Sequence, residues 1–346
     1  MRKGMILFLL LALLALPVSA LELVPPSVPE SGSQSMPQNP ENLTRGFWGI
    51  LQEGLEVLGP ALKEAARVCL SVLASVMLIS ILKTFSGTVS QVAELAGAAA
   101  IAGALFLTSD TMIRLGTDTI WELTEYGKLL LPVMTAALAA QGGLTKSAAV
   151  FAGTATFTTL LETLISRLLI PMTYLFLAMS VGNGALGEDM LKRLRDLIKS
   201  VISWTLKTIL TVFTTYIGLT GVVSGTADAA ALKAAKATMS TVVPVVGSIL
   251  SGASEAVLLS AGAVKNTAGI YGIFALLAVL LRPFVRILAH YWLLKLTAAV
   301  CGIFGGIRTS ALVADFSTAM GFLLAMTGAV CSMLLIGTVC FMKGVG

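Results

Sequence analysis

Long stretches without a charged side chain constrain the fold of this chain more than any other feature. The longest covers 316–342, and shorter ones cover 68–82, 95–109, 129–145, 147–161, 168–187, 208–227, 237–254 and 266–281. A helix needs about 20 apolar residues to cross the hydrocarbon core of a bilayer. Because lipid offers the backbone no hydrogen bonds, the crossing segments must be helices or a closed barrel. We therefore predict an all-α, polytopic integral membrane protein with about seven to nine membrane segments.

Composition supports this class of protein and excludes several others. Charged residues make up 12% of the 346 residues, and mean hydropathy is +0.92. A soluble protein carries about 25% charged residues, so a soluble domain, a disordered chain and a secreted disulfide scaffold are excluded. The net charge of +5 fits the enrichment of cations in cytoplasmic loops of membrane proteins. We predict membrane lipid, and no nucleic acid, as a partner.

The first 46 residues have the pattern of an exported protein. Arg2 and Lys3 precede an apolar segment, Met5 to Leu16, and the small residues Val18, Ser19 and Ala20 follow. This pattern predicts that residues 1–20 are a cleavable signal peptide cut after Ala20, and an uncleaved anchor is the alternative. Residues 21–46 are rich in proline and polar side chains. We expect them to form a disordered extracytoplasmic lead.

Residues 47–67 show helical periodicity and precede a polytopic domain over 68–346. An apolar stripe recurs at steps of three and four residues, and it consists of Trp48, Leu51, Leu55, Leu58 and Leu62. It predicts an amphipathic helix that lies on the extracytoplasmic surface of the membrane. A helix packed on the protein's own core is the alternative. Pro60 is expected to kink or split this helix.

The segment 188–200 is the most basic connector. It holds Lys192, Arg193, Arg195 and Lys199, so the positive-inside bias places it in the cytoplasm. Leu191, Leu194, Ile198 and Val201 share one predicted face, which is typical of a basic helix on the inner membrane surface. A simple topogenic loop and a docking site for a cytoplasmic partner are the alternatives. The acidic segment 109–128 is expected to be an outer connector.

Two pairs of prolines suggest a weak internal repeat. Pro132 and Pro244 are 112 residues apart, and so are Pro171 and Pro283. The repeat would relate 129–187 to 241–302. Paired, Gly/Pro-interrupted membrane segments point to a binding or permeation site in transporters.

No motif for catalysis, cofactor binding or metal binding is found, and we do not expect an enzyme. The run Gly142 to Ser147 lacks the spacing of a phosphate-binding loop. The chain has one histidine, and its four cysteines lie in apolar runs without a C-x-x-C pair. They are interpreted as buried hydrophobic residues.

Ionisable residues inside apolar segments are the only chemical signal. Arg282, Arg286 and His290 are spaced by four residues and share one helix face. Charge at membrane depth costs at least about 2.5–3.5 kcal/mol and therefore usually faces a cavity or a partner. We predict a hydrated or partner-facing surface here, with Glu255 as the candidate counter-charge. Snorkelling to the membrane interface is the alternative.

Several segments resemble the stage III sporulation protein AE family of endospore-forming bacteria. They are the run from Gly127 to Gly182, Ser224–Asp228, Leu232–Lys236 and Val242–Gly247. The resemblance covers the mature chain and is most specific over 127–300. It carries no assigned functional residues.

The resemblance implies a location, partners and a function. It implies the mother-cell membrane around the forespore, ring-forming partner proteins and a cytoplasmic ATPase. It further implies a channel or feeding-tube complex that joins the two cells and supports forespore development. A stand-alone secondary transporter for a small solute is the alternative function.

Overall fold

The fold consists of long helices joined by short connections. The computed structural model describes residues 25–37, 43–82, 88–186, 189–242, 246–304 and 307–343, and describes side chains for 25–37, 45–81, 96–97, 99–183, 192–220, 266–303 and 309–343. The helices are α1 (Glu30–Ser33), α2 (Leu43–Leu82), α3 (Thr88–Ala140), α4 (Leu144–Leu164), α5 (Ile170–Leu186), α6 (Asp189–Val242), α7 (Val246–Phe304) and α8 (Ile307–Met342). A π-helical turn, Ile165–Leu169, joins α4 to α5. The described residues contain no strand.

Five helical stretches of the described chain are long and apolar enough to cross a membrane. They are Arg45–Ile81, Leu144–Asn183, Lys192–Thr220, Asn266–Ile303 and Thr309–Met342. This confirms the predicted all-α polytopic membrane protein. These five belong to the described residues alone: the predicted run 237–254 lies outside the residues whose side chains are described, and several of the other runs share one helix. The runs 147–161 and 168–187 are joined through the π turn, and 266–281 continues into 283–303 within α7.

The acidic segment 109–128 is part of a helix rather than a connector. It lies in the middle of α3, which is 53 residues long. Its charged residues are Asp110, Arg114, Asp118, Glu122, Glu125 and Lys128. They interrupt the apolar runs on either side, and α3 is not among the five candidate spans.

Prolines lie inside these helices without ending them. Pro60, Pro132 and Pro283 are interior to α2, α3 and α7. A helix of a membrane protein tolerates proline where neighbouring helices satisfy the freed backbone groups. The suggested repeat does not extend to the turn at 141–143 that separates α3 from α4, because 253–255 lie within α7. Pro244, with which the second copy begins, lies outside the described residues.

The core lies where α7 and α8 pack in antiparallel directions. The Ser317 hydroxyl donates to the Tyr291 carbonyl at 2.9 Å, and the Ser310 hydroxyl donates to the Ala298 carbonyl at 2.7 Å. The core also holds Phe176 of α5, whose ring meets Phe322 edge-on at 5.3 Å between centroids. Each hydroxyl finds an acceptor in a backbone carbonyl of the neighbouring helix, and the small serine side chains let the two helices pack closely.

A larger side chain at Gly272 of α7 is predicted to disrupt the contact between α7 and α3, because its nearest neighbour, Leu130 of α3, is itself fully buried. A Cβ at Gly272 would lie 2.6 Å from Leu130 Cδ2 of α3, whereas a Cβ at Gly328 of α8 would meet no atom within 4 Å. Overpacking typically costs about 1–3 kcal/mol. We expect Gly272→Val to lower the melting temperature of the purified protein in detergent and Gly328→Val to leave it nearly unchanged. Equal shifts for the two variants would contradict the close α3–α7 approach.

Part of the lead is ordered, although the sequence predicts disorder there. Residues 25–37 lie along α7, where a Cβ at Gly32 would contact Val279. Val28 and Met36 pack against the core, and Ser35 is 3% exposed. The polar composition hides these contacts, because a few apolar side chains and one buried hydroxyl hold the segment. The predicted signal peptide and Ala20 lie outside the described residues.

Candidate functional site: an ion-pair groove between α2 and α7

Helices α2 and α7 run parallel and pack through small side chains. Ile50 packs with Phe274 and Ala278 near the start of the contact. Further along, Ala61 and Ala65 of α2 pack with Val285 and Ala289 of α7. The alanines of each helix are spaced to share a face, and their small size brings the two backbones close. Charged residues flanking this seam are thereby brought together across it.

Arg286 of α7 is paired with Glu64 of α2. Its Nη2 lies 2.8 Å from Glu64 Oε1 and 2.9 Å from Oε2, and its Nε lies 3.2 Å from Oε2. The guanidinium fork therefore engages both carboxylate oxygens, the strongest arrangement for this type of pair. The side chains remain 38% and 43% exposed.

Arg282 forms a second pair one helical turn earlier. Its Nη2 lies 2.9 Å from Glu53 Oε1, and its Nε donates to Ser35 Oγ at 3.1 Å. The Ser35 hydroxyl donates in turn to Glu53 Oε1 at 3.4 Å. The lead and α2 therefore meet α7, more than 200 residues later in the chain, at one guanidinium group.

His290 is buried beside the groove rather than lining it. Its side chain is 1% exposed, and Nδ1 lies 2.9 Å from the Arg286 carbonyl oxygen. Since a carbonyl only accepts, Nδ1 must carry the proton in this contact. Nε2 is buried and has no hydrogen-bond partner within the described part of the chain. The predicted basic stripe therefore divides into two paired arginines and one buried imidazole.

The two ion pairs border an open groove of about 460 Å³. Its lining consists of Glu53, Glu56, Val57, Pro60, Ala61, Glu64, Arg282 and Arg286. Three carboxylates face two guanidinium groups, and Glu56 forms no ion pair with another described residue. Acyl chains cannot solvate such a surface. The groove therefore requires water or a protein partner as its cover.

The sequence predicts the arginines but not their partners. Glu53 and Glu64 are the counter-charges of Arg282 and Arg286, whereas Glu255 lies outside the residues whose side chains are described. The available signal was the position of Glu53, Glu56 and Glu64 off the apolar stripe of α2. Nothing in the pattern indicates which helix that polar face meets.

Most of the apolar stripe points away from the protein. Trp48, Leu51 and Leu55 are 68%, 45% and 64% exposed, whereas Leu58 of the same stripe is partly buried and packs with Ala61 and Ala65. Residues 47–67 are thus the first half of α2, packed on α7 by one face. Their other face offers apolar side chains to the surroundings.

A third ion pair connects α6 to α8. Arg195 Nη1 contacts Asp315 Oδ2, and their side chains are only 10% and 14% exposed. The sequence places Arg195 in a basic cytoplasmic cluster, together with Lys192, Arg193 and Lys199. Of these cations, Arg195 alone turns inward, because it shares a face with the buried Ile198 and Ile202.

Comparison with known proteins identifies the family of this chain. A sequence model of the family described as stage III sporulation protein AE matches residues 39–345. The chain belongs to this family. Stage III sporulation protein AE of Bacillus subtilis (strain 168) is 24% identical over 197 residues, which cover 56% of this chain and 49% of the relative. The match thus spans about half the length of that curated relative. No solved structure matches the chain.

Family membership confirms the resemblance drawn from the sequence. With five helices suited to crossing a membrane, it identifies a multi-pass membrane protein with a role related to sporulation. The family is one of sporulation membrane proteins and not a known enzyme family.

Proposed function

We propose that this protein is the polytopic membrane subunit of a sporulation-specific channel, or feeding-tube, complex. The complex links the mother cell to the forespore, and the subunit lies in the mother-cell membrane surrounding the forespore. Its partners are ring-forming proteins and a cytoplasmic ATPase, and its activity is needed for forespore development. Family membership over 39–345 supports the sporulation role.

The groove between α2 and α7 is the observation that favours a subunit over a stand-alone protein. It carries five charged side chains on the outside of two helices that are each suited to crossing a membrane. Lipid over the groove would leave Glu56, which forms no ion pair with another described residue, against hydrocarbon at a cost of at least about 2.5–3.5 kcal/mol. A neighbouring subunit removes this cost by covering the groove.

Site-specific photocrosslinking in sporulating cells tests this proposal. A benzophenone amino acid at Glu56 would report on the groove, and one at Leu219, an apolar residue that is 64% exposed on α6, would be the matched control. We expect Glu56 to crosslink to another protein of the sporulation complex and Leu219 to give no such product.

The alternative, a stand-alone transporter, makes the opposite prediction. The Glu56 probe would then give no protein adduct, and the purified protein alone in vesicles would catalyse solute uptake. That pair of results would overturn the proposed subunit function.

A further inference from the structure

The first turns of α6 present three separate stripes of side chains. Arg195, Ile198 and Ile202 are buried against the protein. Lys192, Asp196 and Lys199 are exposed and follow one another at steps of four and three residues. Leu194, Leu197 and Trp204 are also exposed, at 42%, 58% and 67%, and are spaced by three and seven residues. Steps of three, four and seven keep residues on one side of a helix.

The exposed surface is thus itself amphipathic. One flank carries Lys192 and Lys199, with Arg193 exposed between the flanks. The other flank carries two leucines and a tryptophan. None of these three cations forms an ion pair with another residue that the structure describes. The three cations outnumber Asp196, the one exposed carboxylate among residues 192–204, so this face can attract an external anionic group.

The position of this surface along α6 identifies its surroundings. It lies at the start of α6, whose first residue is Asp189, and the charge-free run 208–227 follows it along the chain. Tryptophan is enriched where a span meets the headgroup layer, because its ring is apolar and its N–H is polar. Clustered cations beside the end of a span are attracted to anionic lipids. The buried Arg195–Asp315 pair holds this end of α6 against α8 and so fixes which side faces outward.

We propose that the outer face of α6 at residues 192–204 binds anionic phospholipid headgroups. Lys192, Arg193 and Lys199 contact the phosphates, while Leu194, Leu197 and Trp204 enter the adjacent acyl region. This face lies on a different helix from the α2–α7 groove, so the site is independent of the proposed channel function.

Trp204 provides a direct probe of this site. The chain has four tryptophans, Trp48, Trp121, Trp204 and Trp292. A protein with Phe at 48, 121 and 292 is reconstituted into vesicles that contain phosphatidylglycerol and phosphatidylcholine, with one of the two brominated. We expect brominated phosphatidylglycerol to quench Trp204 more strongly at the same mole fraction. Each cation that reaches the headgroups favours the anionic lipid by about fivefold.

Two comparisons complete the test. Replacing Lys192, Arg193 and Lys199 with Gln should make quenching by the two lipids equal, and about 1 M salt should weaken the preference in the unmodified chain. A protein that retains only Trp121, which lies beside Glu122 and near Asp118, is the matched control and should show no preference for the anionic lipid.

Two outcomes would overturn the proposal. In one, Trp204 is quenched equally by the two brominated lipids. In the other, neither lipid quenches it while an aqueous quencher does, which would place this face in water and make it a surface for a soluble partner.

Discussion

Asp315→Asn is expected to destabilise the protein by about 3–5 kcal/mol, because it removes one partner of a buried ion pair. Arg195 would remain buried with its charge uncompensated, since its side chain is only 10% exposed in the pair. The free energy of unfolding, measured by denaturant titration of the purified protein in mixed micelles, gives the size of this effect.

Glu125→Gln is the matched control for this prediction. Glu125 pairs with Lys128 at 2.6 Å, but the two side chains are 44% and 51% exposed. Exposed pairs contribute about 0–1 kcal/mol, so this variant should unfold almost as the unmodified protein does. Restoring a pair by exchanging the residues, Arg195→Asp with Asp315→Arg, should recover part of the lost stability. Equal destabilisation by Asp315→Asn and Glu125→Gln would show that burial of the first pair has no energetic consequence.

The second large effect is expected at Arg286. Arg286→Leu leaves the Glu64 carboxylate without its partner at the edge of the groove. We expect heat-resistant spores to fall by more than about tenfold while the protein still inserts and accumulates, since about 1.4 kcal/mol of lost interface free energy is a tenfold change in association. Spore counts and immunoblots of the membrane fraction measure the two quantities.

Partner variants decide whether the ion pair itself is responsible. Glu64→Gln should resemble Arg286→Leu, and the double variant should be little worse than either single one, because contacting residues are not additive. Arg286→Lys should be partly tolerated, as it keeps the charge but loses the two-pronged contact. Glu255→Gln is also predicted to impair sporulation if Glu255 shares this surface, and its coupling to Arg286 should then be measurable in the same way.

Arg114→Leu is the control for loss of an arginine. Arg114 is 74% exposed and pairs with Asp110 within one turn of α3 at 2.9 Å, an arrangement that contributes only about 0.3–0.5 kcal/mol. If Arg286→Leu gave a normal spore yield at a normal protein level, the functional role of this surface would be rejected. Arg282 and Arg286 would then be interpreted as arginines that snorkel to the membrane interface.

The class of this protein and the identity of its unusual charges follow from the amino-acid sequence alone. Apolar runs such as 316–342 are too long and too free of charge for a soluble fold, so helices in a membrane follow from the solvation of the backbone. The cost of charge in such segments singled out Arg282 and Arg286. Both inferences use local composition, which needs no knowledge of distant contacts.

The pairs that these charges form depend on how the helices pack. The pairing of Arg286 with Glu64 joins residues 222 positions apart, and it depends on the parallel packing of α2 and α7 through small side chains. The same packing leaves most of the apolar stripe of α2 exposed and brings Ser35 of the lead to Arg282. Likewise, periodicity placed Leu194 and Ile198 on one face of α6, whereas contact with the core buries Ile198 and leaves Leu194 exposed. A helical pattern states which residues share a face, but the neighbouring helices determine which face is buried.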